Sequence, residues 1–161
     1  MINVAIFGAG NISGAHVDAY RQFPERCRIT AICDIVPGKA ERRAEDWGLT
    51  DVDTVGHVDE LLKLDDVDLV SICTPPSTHA DLAVAVLKAG KHVILEKPMA
   101  SSVAECQRIE AAAAESGAVL SVVAQNRFRN DMALLKEALD SGLIGPVTHA
   151  RVDSAWWRGL P

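Results

Sequence analysis

Apolar residues in this chain come in short unbroken runs, at Ile2–Phe7, 29–33, 69–73, His92–Leu95 and 119–124. A strand with one wet face would alternate apolar and polar residues, so runs without a polar face predict strands covered by helices on both sides, as in a parallel sheet. Between the runs the spacing becomes helical. Leu82, Val86 and Ala89 form one apolar stripe, and Val103, Cys106, Ile109 and Ala113 form another. Ser102 and Glu105 stand at capping-box spacing before the second stripe. Gly48, Gly90, Gly117 and Gly142 fall where helix C-caps are wanted. The alternation β-α-β-α with short connections predicts an α/β, Rossmann-type, doubly wound parallel sheet. There is no internal repeat beyond that alternation, and no low-complexity segment or linker.

The last stretch reads differently. A helix is expected over about 130–141, followed by a turn at Gly142-Leu143-Ile144-Gly145-Pro146. Residues 147–156 alternate partly and run into Trp156-Trp157-Arg158, which predicts the opening strand of another sheet. A lone strand with two tryptophans has too little to pack against, so a missing second domain is expected.

The first apolar run empties into Gly8-Ala9-Gly10-Asn11-Ile12-Ser13, and the second ends at Asp34. Gly8 permits a tight turn out of the strand, and Gly10 lets backbone approach a pyrophosphate. The following helix would aim unpaired N–H groups, from around Asn11 and Ile12, at the phosphates. A carboxylate at Asp34 can accept hydrogen bonds from both adenosine ribose hydroxyls, and it would repel a 2′-phosphate. Ser13 takes the place of the usual third glycine, with Gly14 after it, which predicts slightly looser packing of the helix on the sheet. Asp34 favours NAD over NADP because Ile35, not arginine, follows it; Lys39 and Arg42 are the cations close enough in sequence to reach a 2′-phosphate.

Charge and size narrow the reading. The chain has 161 residues, enough for one well-buried domain and short for two. A net charge of −6 without a Lys/Arg cluster argues against a nucleic-acid partner. No apolar stretch approaches a membrane span, and the N-terminus enters the first strand without a basic, apolar and small-residue leader; a cytoplasmic protein is expected. Cys27, Cys33, Cys73 and Cys106 lack C-x-x-C pairing and read as reduced core thiols. The acidic run Asp65-Asp66-Val67-Asp68 reads as a solvated loop.

Two further segments fall at the carboxyl ends of strands, the edge at which open α/β sheets bind ligands. They are Thr74-Pro75-Pro76-Ser77-Thr78-His79 and Glu96-Lys97-Pro98. Lys97 is the candidate catalytic residue: an ammonium beside a substrate hydroxyl or carbonyl can donate a hydrogen bond, stabilise a developing alkoxide and relay a proton. Glu96 would orient it or bind ribose, and a cis Lys97–Pro98 bond is compatible with the sequence.

Together these segments resemble the N-terminal domain of the Gfo/Idh/MocA oxidoreductases. The carriers are Gly8-Ala9-Gly10-Asn11-Ile12-Ser13-Gly14-Ala15-His16, Asp34, Thr74-Pro75-Pro76-Ser77-Thr78-His79, Ala89-Gly90-Lys91-His92-Val93, Glu96-Lys97-Pro98 and Gln125-Asn126-Arg127-Phe128. The resemblance implies NAD or NADP binding, and hydride transfer between nicotinamide and a hydroxyl- or carbonyl-bearing carbon of a sugar, cyclitol or related polyol. It implies a catalytic-site role for Lys97, cofactor contacts for Thr74, Pro75 and His79, and a place for Gln125 at the same end of the crevice. It further implies a division into a cofactor domain, 1–124, and the start of a truncated α+β substrate domain, 125–161. That second domain would bring the family's acid–base Asp and His, and a sheet through which a homo-oligomer could form.

Three alternatives stand beside this reading. A stand-alone NAD-binding module needs no second domain. An S-adenosylmethionine-dependent methyltransferase shares the glycine loop and the acid but gives Glu96-Lys97-Pro98 no role. The bland reading makes His16 a helix-face residue, His79 a cap or packing residue and Arg127 a surface cation. His57, His92 and His149 lack partners at metal-ligand spacing, so no metal is expected.

Overall fold

In the computed structural model, which describes residues 1–153, six parallel strands form one sheet. They are β1 (Ile2–Phe7), β2 (Cys27–Cys33), β3 (Asp53–Val55), β4 (Leu69–Ile72), β5 (His92–Leu95) and β6 (Leu120–Val122), in spatial order β3-β2-β1-β4-β5-β6. The helices between them are α1 (Ser13–Arg21), α2 (Lys39–Asp46), α3 (Val58–Leu61), α4 (His79–Lys88) and α5 (Val103–Ser116), with a short 3-10 turn at Pro76–Thr78 before α4. The chain moves outward from β1 to β3, then crosses to β4 on the other side. The crevice between β1 and β4 is therefore the point at which strand order reverses.

Both sheet faces are covered, as the unbroken apolar runs require. On β1, Val4 and Ile6 pack with Val17 of α1, while Ala5 and Phe7 turn to the cluster built by α3, α4 and α5. Val86 and Leu87 of α4 and Ile109 of α5 are fully buried in that cluster. Burying such side chains contributes about 1.5–3 kcal/mol each, well above the few tenths that helix propensity separates most residues by, so packing holds these helices in place. The α5 start is capped as its sequence predicts. Ser102 Oγ accepts the Glu105 N–H at 3.3 Å, and the Glu105 carboxylate reaches one residue farther back, to the Ser101 N–H at 3.0 Å. All four glycines read as C-caps have positive φ.

Two elements are additional to the sequence reading. β3 has three residues, two of them polar, because it is an edge strand paired only with β2. α3 is a single turn. Ser13, in the place of the usual third glycine, is fully buried, and its hydroxyl donates to the Gly10 carbonyl at 2.6 Å, which ties the loop to the helix.

Residues 1–123 form one compact unit and 124–161 a second. The second contains a 3-10 turn, Gln125–Phe128, and α6 (Asn130–Asp140), whose Lys136 pairs with Asp140. No strand forms over 147–153, consistent with a strand's need for a hydrogen-bonded neighbour; the rest of the expected strand, with Trp156 and Trp157, lies outside the described residues. Among the described residues no helix is long and apolar enough to cross a membrane.

Candidate functional site

A cleft of about 480 Å³ opens at the β1/β4 switch point. Its lining brings together Gly8 and Gly10 after β1, Asp34 after β2, and Thr74 and Pro75 after β4. Gly8 has φ +93°, and a Cβ there would stand 2.9 Å from backbone atoms of Cys73 and Thr74. The turn thus needs glycine for conformation and for close approach to the next strand. A Cβ on Gly10 would meet nothing within 4 Å, so the space over this residue is open to a ligand. α1 begins beyond it with Ile12 as N-cap, a side chain that can accept no hydrogen bond, and Asn11 and Ile12 are exposed. This helix start has no acidic residue in its first turn and is suited to a phosphate.

Asp34 is buried at the rim. Its Oδ2 accepts from the Ala9 N–H and from Lys39 Nζ, each at 2.8 Å, and Oδ1 accepts from the Val36 N–H at 2.9 Å. Burial alone would raise its pKa, but the Lys39 ammonium and the two backbone N–H groups outweigh that and hold the carboxyl below its ordinary value. A depressed folded-state pKa stabilises the fold above the unfolded carboxyl value of about 3.9, and that contribution is lost as pH falls through the folded value. Asp34→Asn should therefore flatten the acid limb below about pH 4 in a plot of urea midpoint against pH, compared with the wild type. An unchanged acid limb would contradict this.

The far side of the cleft is held by a small turn. Thr78 Oγ1 lies 2.8 Å from both Thr74 Oγ1 and the Pro75 carbonyl oxygen. His79 stands behind this turn and does not line the cleft. It is fully buried, with Nδ1 2.8 Å from the Pro98 carbonyl oxygen and Nε2 2.9 Å from that of Thr74. A neutral ring donates to one of these at a time, a protonated ring to both. His79 thereby bridges the loops after β4 and β5.

Glu96 and Lys97 follow β5, next to the Thr74 turn. The Lys97–Pro98 bond is cis. Lys97 is exposed, and among the described residues its ammonium makes no hydrogen bond or ion pair. Glu96 is buried and has one partner at each oxygen: Oε1 lies 3.0 Å from His16 Nε2, and Oε2 accepts the Lys97 N–H at 3.1 Å. His16 Nδ1 is 3.1 Å from Ser71 Oγ, which is 2.7 Å from the Tyr20 hydroxyl. One proton arrangement satisfies all these groups with His16 neutral. Tyr20 donates to Ser71, Ser71 to His16 Nδ1, and His16 Nε2–H to Glu96. Burial, opposed in part by the Ser71 hydrogen bond, pushes the Tyr20 phenol up to about 12, so it remains a donor at neutral pH. The histidine of the first helix thus has its carboxylate partner 80 positions away in sequence, which local spacing could not show.

Gln125, with Asn126 and Arg127, is exposed on the 3-10 turn of the second unit. The thiols of Cys33 and Cys73 are pushed up to about 12, chiefly by burial, and all four cysteines are free.

Comparison with known proteins agrees with this geometry. The family model for the Gfo/Idh/MocA oxidoreductases, NAD-binding Rossmann fold, matches residues 2–124. Inositol 2-dehydrogenase of Salmonella typhimurium is 32% identical over 145 residues, covering 89% of this chain and 43% of that protein. The crystal structure of the WlbA dehydrogenase from Bordetella pertussis, in complex with NADH and UDP-GlcNAcA, superposes with a TM-score of 0.84 at 31% identity, over 89% of this chain and 43% of that one. GenD2 from gentamicin A biosynthesis, in complex with NAD, gives a TM-score of 0.81 at 27% identity, over 88% of this chain and 40% of that one. The chain thus spans less than half the length of these relatives. It belongs to the Gfo/Idh/MocA oxidoreductase family, and residues 2–124 are that family's NAD-binding Rossmann fold.

Proposed function

We propose that this domain is the cofactor-binding part of a cytoplasmic NAD-dependent oxidoreductase. Its reaction would transfer hydride between nicotinamide and a hydroxyl- or carbonyl-bearing carbon of a sugar, cyclitol or related polyol. The observation that carries the reading is the convergence of Gly8, Gly10, Asp34, Thr74 and Pro75 on one cleft at the strand-order switch, with Lys97 unpaired among the described residues at the end of the next strand but one from β1. Inositol 2-dehydrogenase among the relatives, and a UDP-sugar acid bound to WlbA, support the substrate class.

In this reading the start of α1 and the Gly8–Gly10 turn hold the pyrophosphate, and Asp34 holds the adenosine ribose. Thr74 and Pro75 pack along the cofactor. When bound, the nicotinamide supplies the two-electron acceptor or donor. Lys97 donates a hydrogen bond to the substrate oxygen and stabilises negative charge on it, and it relays the hydroxyl proton by releasing one of its own protons to solvent as it takes up the substrate's. The four free cysteines and the absence of a basic surface cluster fit a small-molecule enzyme of a reducing compartment.

Two measurements test the proposal. NADH titrated into the 161-residue chain should quench or enhance fluorescence saturably, and the oxidoreductase carrying this domain should reduce NAD with at least one polyol such as myo-inositol. A chain that folds but binds no nicotinamide nucleotide would overturn it.

A further inference from the structure

The Asp34 carboxylate is nearly saturated by the protein itself. Its two oxygens offer about four acceptor positions, and three are taken, by the Ala9 N–H, the Val36 N–H and Lys39 Nζ. A ribose diol that grips this carboxylate through both hydroxyls needs two positions, and one remains. One of the three donors must therefore leave when the ligand arrives.

The three are not equally able to do so. Ala9 is fully buried in the turn after β1, and the Val36 N–H belongs to the loop that carries Asp34 itself. Lys39 opens α2 on a flexible four-carbon stem; its side chain is 36% exposed and lines the cleft. Its ammonium can be rehydrated at little cost when it swings out, whereas the buried Ala9 N–H cannot, and the Val36 N–H is held within the turn that Asp34 itself begins. Lys39 also cancels the charge that would otherwise repel a phosphate at this corner.

We propose that Lys39 is a specificity-determining residue that occupies the ribose-diol position on Asp34, so that NAD must displace it, while the 2′-phosphate of NADP recruits it. This rests on the reading of the cleft as a dinucleotide site and deepens it. One side chain then acts in opposite directions on the two nucleotides: its ammonium competes with the hydroxyls of NAD, and it is the counter-ion of the additional phosphate of NADP. Asp34 sets the preference for NAD, and Lys39 limits how strong that preference becomes.

The test is direct titration of NAD and NADP into the 161-residue chain and into Lys39→Met and Lys39→Arg, with circular dichroism as the check on folding. Lys39→Met keeps the stem length and removes the charge; it should tighten NAD by about 3–10-fold and weaken NADP by about tenfold. Lys39→Arg should retain most of the NADP affinity, and added salt should weaken NADP more than NAD in the wild type, a difference that should disappear or reverse in Lys39→Met, where Asp34 faces the phosphate without its counter-ion. Unchanged or weaker NAD binding by folded Lys39→Met would overturn the inference while leaving the dinucleotide site standing. Failure of the wild type to bind either nucleotide would overturn both.

Discussion

Gly8→Ala is expected to destabilise the fold by about 2–5 kcal/mol, from left-handed strain together with overpacking. The residue has φ +93°, and the new Cβ would lie 2.9 Å from the Cys73 carbonyl carbon and the Thr74 nitrogen, and at the same distance from the Thr74 methyl. Two of those three atoms are backbone at the end of β4, held by the Cys73 N–H to Phe7 carbonyl bond at 2.7 Å, so they cannot yield without opening the β1–β4 pair. Gly10→Ala, two positions on, should behave in the opposite way. Its Cβ meets nothing within 4 Å and its backbone is not left-handed, so stability should change by less than about 1 kcal/mol. The added methyl stands where a pyrophosphate must approach, and NADH affinity should fall by more than about tenfold, which is 1.4 kcal/mol. Urea unfolding and NADH titration on the same two variants separate the effects. A Gly8→Ala protein as stable as wild type would refute the packing argument, and a Gly10→Ala protein with unimpaired binding would refute the site.

Much of this was legible because the determinants are local or periodic. The five apolar runs became β1, β2, β4, β5 and β6, and Ser102 capped α5, since covered strands and helix caps write themselves into neighbouring residues. Asp34, Gly8 and Gly10 could be placed together because the strand-turn-helix-strand unit fixes where the end of each strand lies. β3 escaped because Asp53-Thr54-Val55 has neither an apolar run nor a full alternation, and only its pairing with β2 makes it a strand. The bridging contacts of His79 were hidden for a related reason. Its position near the ligand edge is real, but its ring turns inward to the carbonyls of Thr74 and Pro98, a choice made by packing between loops 19 residues apart. The same limit hid the His16–Glu96 pair, which joins α1 to the end of β5.

That pair sharpens what Lys97→Met should do if the proposed oxidoreductase reaction is correct. Glu96 holds the Lys97 N–H with one oxygen and the His16 ring with the other, and His16 is braced by Ser71 and Tyr20, so the backbone beneath Lys97 is tied to α1 and β4. The Lys97 side chain is left exposed and without an ionic partner among the described residues, free to act on a ligand. Removing its ammonium should lower kcat for the proposed polyol oxidation by about 10²–10⁴-fold, the usual range for an acid–base group, while the KM for NAD changes by no more than about threefold because Asp34 and the glycine turn are intact. His16→Ala should keep the ammonium but loosen its mount, costing about 10–100-fold in kcat, as supporting residues of a reactive group typically do. Lys97→Arg discriminates between two roles of the charge. A guanidinium stabilises an alkoxide but does not give up its proton near neutral pH, so Arg should fail to restore turnover if proton relay is required. Recovery to near wild-type rates by Lys97→Arg would assign the residue to electrostatic stabilisation alone, and undiminished turnover in Lys97→Met would remove it from the reaction altogether.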